Sequence, residues 1–196
     1  MSIFDGPEGS TPLDPDATKG LIPTWIATRG DLNAAERDNI AKATTWIRQR
    51  RLTPGDLSQA WLKNLHRRMF SDVWRWAGSY RLHDTNLGLP WAEISFAVEG
   101  LVRDMHVHVD MQAWVPDETA IRFHHRLVFI HPFANGNGRH ARLAADVLIE
   151  ALGEQRFSWG ARARRDPDAA RREYVSALRI ADRAPDYEPL LRFARS

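Results

Sequence analysis

Residues 126–142 read RLVFI-HPFANGNGRHAR, and this stretch decides the fold. An apolar run ends at His131-Pro132-Phe133, passes through two glycines, Gly136 and Gly138, and restarts with Arg139 and Arg142. Before it, PDETAIRFHHRLVFI is apolar nearly all round and has Pro116 near its start, which predicts a helix at the centre of the core. After it, NGRHARLAADVLIEALG carries Ala144, Val147, Leu148 and Ala151 on one face and stops at Gly153, which predicts a second. The glycine turn therefore joins two core helices.

Outward from this pair the pattern stays helical. Asp31 or Asn33 is placed to cap a helix running to about Arg51, with Ile40, Ala43 and Ile47 on one face. Another is expected to start at Pro54. A third, about Ala92 to Met111, repeats Ile94, Val98, Leu101, Met105 and Val109 at helical spacing. Asp166 and Pro167 open a sixth, and a short helix around Tyr187 to Ala194 closes the chain. Ala77 to Pro90 breaks the periodicity and reads as an irregular segment with a small hairpin. Residues 1–20 read as an extended arm and 21–196 as one domain with its core at about 54–160. The fold class is all-α.

Composition narrows the functions. The 196 residues suffice for one well-buried domain. There is no cysteine, which removes disulfides, thiolate nucleophiles and cysteine zinc sites and fits a reducing, cytoplasmic setting. No apolar run approaches the ~20 residues that a membrane span needs. The net charge of +2 does not imply nucleic acid, although basic residues comprise 24 Arg against 3 Lys. Their densest run, Arg162 to Arg172, reads as a solvated helix start before it reads as a phosphate contact. The eight tryptophans predict an aromatic core, with Trp25, Trp46, Trp61, Trp74 and Trp76 packing in it or at its rim. Trp91 stands beside the irregular segment.

The glycine turn carries the chemistry. Gly136 and Gly138 let backbone N–H groups close on a ligand, and the helix after them points its positive dipole end at the same spot. Arg139 and Arg142, three apart, share one helical face. Cations there oppose the helix dipole unless a bound polyanion reverses the sign, and arginine favours bidentate phosphate contacts. A neutral imidazole at His131 would take a proton from an incoming hydroxyl. A plain helix–helix turn fits the same residues equally well, because Asn-Gly is common in turns. A Rossmann reading of GNGRHA fails for want of a second strand ending in an acid, and the Walker pattern is absent. His106, His108, His124 and His125 lack the spacing of a helical metal pair and read as core or surface histidines; His124 and His125 are candidates for orienting His131.

HPFANGNGRHAR closely resembles the motif of the Fic (Fic/DOC, Fido) family, His-Pro-Phe-x-(Asp/Glu)-Gly-Asn-Gly-Arg-x-x-Arg. WRWAGSYR (Trp74 to Arg81) and TNLGLPWAEI (Thr85 to Ile94) are similar to its upstream segment and flap. With the N-terminal TPLDPDATKGLIPTWIATRGDLN, nearly the whole chain resembles the subgroup called mobile mystery protein B. The resemblance implies a helical bundle with a short β-hairpin flap, and a protein adenylyltransferase that moves AMP from ATP to a Ser, Thr or Tyr hydroxyl, with Mg²⁺. It makes His131 the base, with Asn135, Gly136, Asn137 and Gly138 lining the phosphate cradle. Arg139 and Arg142 would hold the outer phosphates, and Phe133 would be the buried anchor of the loop. Thr85, Asn86, Leu87, Gly88 and Leu89 would dock the target's backbone.

The departure is Asn135, where the family has a carboxylate on Mg²⁺; asparagine offers one neutral oxygen. A nucleotide binder with little or no AMP transfer, or a phosphotransferase, are the alternatives this leaves. The resemblance further implies an unidentified target protein, a helix-turn-helix or antitoxin partner encoded nearby, and homodimers. Two segments bear on an inhibitory glutamate opposite Arg142. Ser95 to Gly100 fits the motif by spacing but lies in a core helix, and Lys19 stands where a glutamate is expected and would repel Arg142.

Overall fold

The computed structural model describes residues 18–161 and 166–196; most of the expected N-terminal arm and part of the basic run at 162–172 lie outside them. Among the described residues seven α-helices follow one another: α1 (Arg29–Arg48), α2 (Gln59–Phe70), α3 (Ile94–Asp110), α4 (Pro116–Ile130), α5 (Asn137–Ala151), α6 (Pro167–Arg183) and α7 (Glu188–Arg195). Short 3-10 turns at Pro54–Asp56 and Trp91–Glu93 precede α2 and α3, so Pro54 starts a turn and Ser58, whose side chain accepts from the N–H of Trp61, caps the helix proper.

The cap of α1 is Thr28. Its hydroxyl accepts from the N–H of Asp31, and the Asp31 carboxylate accepts in return from that of Thr28. This reciprocal box satisfies two otherwise orphaned donors, so Asp31 takes part in the cap from inside the first turn instead of being the cap. Asp166 caps α6 as the sequence suggests.

The core is centred on α4 and α5, which pack against each other. Ten residues of α5 are buried, among them Ala141, Ala144, Ala145 and Leu148. α5 is thus as central as α4, because its small residues admit close neighbours on several sides. α3 and α7 pack on α4, while α2 packs on α5 and carries α1 behind it. Trp74 is fully buried, whereas Trp25, expected to pack, is 62 % exposed. Strand pairing among the described residues is a single antiparallel bridge, Leu21 with Trp74. The expected hairpin at 77–90 is absent; that segment runs as bends over the end of α4. No helix among the described residues is long and apolar enough to cross a membrane.

Candidate active site

His131 terminates α4. It adopts the left-handed conformation, φ 55°, ψ 58°, which turns the chain sharply and is uncommon for a residue with a side chain. The ring is mostly buried and its Nδ1 lies 3.2 Å from the Val128 carbonyl. A carbonyl only accepts, so Nδ1 carries the proton and Nε2 is the basic nitrogen. Burial pushes the imidazole down to about 4, with the Val128 bond opposing and the Arg81 charge adding to the shift. At neutral pH the ring is therefore uncharged, as a base must be.

Beyond His131 the loop is fixed from inside. Phe133 is fully buried, stacked on His66 at 3.7 Å between ring centroids and flanked by Tyr80 and His140. Asn137, also buried, accepts from the N–H of Phe133 at 2.9 Å and donates to its carbonyl at 2.8 Å. The Asn137 side chain thus pins the loop, which leaves its backbone for the anion cradle that the sequence suggests. His66 receives the N–H of Gly78 on Nδ1, which leaves Nε2–H to donate to the carbonyl of Asn135 at 3.1 Å. That histidine was not read from sequence as part of the site.

The two glycines differ. Gly136 has φ 78°, and a Cβ there would meet the Phe70 ring at 2.6 Å, so packing demands glycine. At Gly138 a Cβ would find only the Tyr174 hydroxyl, at 3.6 Å. The protein itself leaves room at the start of α5, where the first N–H groups have no helical acceptor.

Arg139 lies in the first turn of α5 and Arg142 in the second, and they have different company. Arg139 Nη1 donates to Glu36 of α1 at 2.7 Å. Glu36 is buried and its other oxygen accepts from Trp74 Nε1 at 2.7 Å. Arg142 donates to the Gly138 carbonyl and lies over the Tyr174 ring; among the described residues no ion pair engages it. Arg171, three residues before Tyr174 on α6, feels the positive charges of Arg142, Arg139 and Arg29, which add to its burial in pushing its guanidinium down. Arg171 thus shares positive surroundings with Arg139 and Arg142 of α5 and with Arg29 at the start of α1.

Asn135 Oδ1 accepts from the N–H of Gly136 at 2.7 Å and lies 3.5 Å from Arg139 Nη2. An oxygen so placed already faces donors, and among the described residues no three His, Cys, Asp or Glu side chains gather as metal ligands. The residues present do not form a protein-side Mg²⁺ site.

On the other flank of His131, Arg81 holds the irregular segment. Its buried guanidinium donates to the carbonyls of His131 (2.9 Å), His83 (2.9 Å) and Leu89. The N–H of Arg81 meets the Pro132 carbonyl, and that of Leu89 the Ile130 carbonyl. Gly88, at φ 96°, comes so near that a Cβ would lie 2.4 Å from that of His131. Thr85 turns back on Leu87, while Asn86, Leu87 and Gly88 are exposed. The segment thus sits beside His131 without strand pairing. Beyond Leu89 a groove of 840 Å³ opens between α3 and α4, away from the glycine turn.

The other histidines have structural partners. His124 meets the Tyr174 hydroxyl, His125 meets Asp182, His106 meets the Pro54 carbonyl and His108 packs on Trp114. Glu99, the acid of the Ser95–Gly100 pattern, is exposed on α3, and Lys19 is exposed on a segment that runs along Val73 to Arg75.

With this geometry in hand, the chain can be set beside known proteins. The family model of the Fic/DOC family matches residues 56–149. A protein adenylyltransferase of Caenorhabditis briggsae, fic-1, is 30 % identical over 93 residues, 43 % of this chain and 17 % of that protein. A Fido domain-containing protein of Dictyostelium discoideum is 33 % identical over 84 residues, 43 % of this chain and 54 % of its own. The chain therefore matches only part of the length of each. Among solved structures, the N-terminal Fic domain of a Bep effector from Bartonella quintana, with bound ADP, superposes with a TM-score of 0.66 at 18 % identity, over 88 % of this chain and 86 % of that one.

Proposed function

Taking as premise that residues 56–149 are a domain of the Fic/DOC family, we propose that this protein transfers AMP from ATP to a hydroxyl of a target protein. One observation carries the reading: a neutral, buried histidine, its Nδ1 proton given to Val128, stands one short turn before a helix whose first two turns carry Arg139 and Arg142. Binding of ADP by the Bartonella quintana neighbour supports a nucleotide as the anion. The triphosphate would lie over the start of α5, with Gly138 leaving it room and Arg139 and Arg142 on its outer phosphates. His131 Nε2 would take the proton of a Ser, Thr or Tyr hydroxyl as its oxygen bonds to the α-phosphorus; the bond to the bridging oxygen breaks and pyrophosphate departs. The negative phosphates beside the ring would raise its basicity from the low value of the empty site. Thr85 to Leu89 would hold the target's backbone alongside.

One observation favours a second reading, a nucleotide-binding protein with weak transfer. Asn135 puts a neutral oxygen, already engaged by Gly136, where the family has a charge.

ATP labelled separately at the α- and γ-phosphates, incubated with bacterial lysate, tests both. Label from the α-phosphate that disappears in His131→Ala is the expected result. Label only from the γ-phosphate would mean phosphotransfer, and ATP binding without His131-dependent label would favour the second reading.

A further inference from the structure

Glu36 lies 103 residues from Arg139 in sequence, yet their side chains meet at 2.7 Å. The Glu36 side chain is only 4 % exposed, and each of its oxygens has one donor, Trp74 Nε1 or Arg139 Nη1. A buried carboxylate tied on both sides does not swing away cheaply. Arg139 is itself 32 % exposed, with the Phe70 ring 5.0 Å beneath its guanidinium. Two oxygens thus flank that guanidinium, Glu36 Oε2 at Nη1 and Asn135 Oδ1 at Nη2, and only the first is charged. The surroundings press the other way: Arg142 follows on the next turn of α5 and, with Arg171 and Arg29, makes the surroundings positive, and a cation in a first turn opposes the helix dipole.

We propose that Glu36 is a positioning residue for the phosphate site: its carboxylate, reaching in from α1, orients Arg139 and supplies the negative charge that Asn135 does not. The proposal rests on the nucleotide reading above. Glu36 acts as a brace, not a lock. Its contact uses one nitrogen of a guanidinium with five N–H donors, so a phosphate binds Arg139 without breaking the pair. Removal of a lock would raise affinity; removal of a brace lowers it.

The test compares binding of ATP and of adenosine in the wild type, Glu36→Gln, Glu36→Asp and Glu36→Gln/Asn135→Asp, with circular dichroism as the check on folding. Glu36→Gln is expected to weaken ATP binding about tenfold, the worth of one charge-assisted contact, with adenosine binding unchanged. Moving the charge to the other flank of Arg139 in the double variant should recover at least about threefold. Should Glu36→Gln fail to fold, Glu36→Asp, which keeps the charge and shortens its reach, must show the same selective loss for ATP. Unchanged or tighter ATP binding, an equal loss for adenosine, or no recovery in a folded double variant overturns the proposal. A wild type that binds ATP no better than adenosine would overturn the nucleotide reading itself. A wild type that discriminates while its Glu36 variants discriminate equally well would overturn only the role of Glu36.

Discussion

The two flanks of His131 are built in opposite ways. The flank after it, Pro132 to Arg142, is braced from beneath by buried side chains: Asn137 on Phe133, His66 on Asn135, Glu36 on Arg139. The flank before it in the chain, Leu82 to Leu89, is tied by the side chain of Arg81 and by backbone and Asp84 bonds at its ends and leaves Leu82 and Leu87 in solvent. A site that holds one fixed ligand profits from preorganised donors. A surface that meets another protein tolerates looser framing and exposed apolar groups. On the proposed reading, the braced side holds the nucleotide and the looser side the target protein.

Acid should break the braced side first. Burial holds His131 and His140 at about 4 and His124 at about 3, and pushes His66 well below its usual value. The unfolded chain takes up these protons near pH 6.5, before the folded protein does. The stability tied to each histidine is therefore complete above pH 6.5 and is lost as pH falls toward 4, at about 3 kcal/mol each for His131 and His140. Asp146, raised to about 6 by burial, works in the opposite direction and blunts the loss. Urea melts at pH 7 and pH 4.5 should show a large drop; equal midpoints would mean the histidines under the loop are not buried and neutral.

Arg81→Ala should come next. It leaves three carbonyls without their donor, at a cost of about 3 kcal/mol, and should speed amide exchange in residues 82–89 far more than in 133–142. Equal change on both flanks would erase the distinction between them. The smallest effect sharpens it: Gly138→Ala should keep or slightly raise stability, since alanine outranks glycine in helices by up to ~1 kcal/mol, yet weaken ATP binding about tenfold. If ATP binding survives, the room at Gly138 is not where the phosphates lie.

The helices were legible because apolar spacing and caps are local. PDETAIRFHHRLVFI and DPDAARREYVSALRIAD carry their own starts, and both appear where the pattern puts them. Thr28 was missed because Asp31 and Asn33 are equally good cap residues, and only the backbone shows which of three carries the extended conformation. The hairpin was misread for a related reason. Glycine and proline marked a break, but what shapes the segment is Arg81 bonding carbonyls on both sides of it. Glu36 and His66 were invisible for a stronger one: each meets the motif across a large gap in sequence, 103 residues for Glu36 and Arg139, 69 for His66 and Asn135, and neither residue type announces such a meeting.

His131 both ends α4 and supplies the ring on which the proposed chemistry depends, in a conformation that glycine adopts with less strain. Natural selection and laboratory selection then pull apart at this one position. A screen rewarding only yield or heat resistance would find His131→Gly attractive for the backbone, and would abolish the proposed chemistry while relaxing the turn.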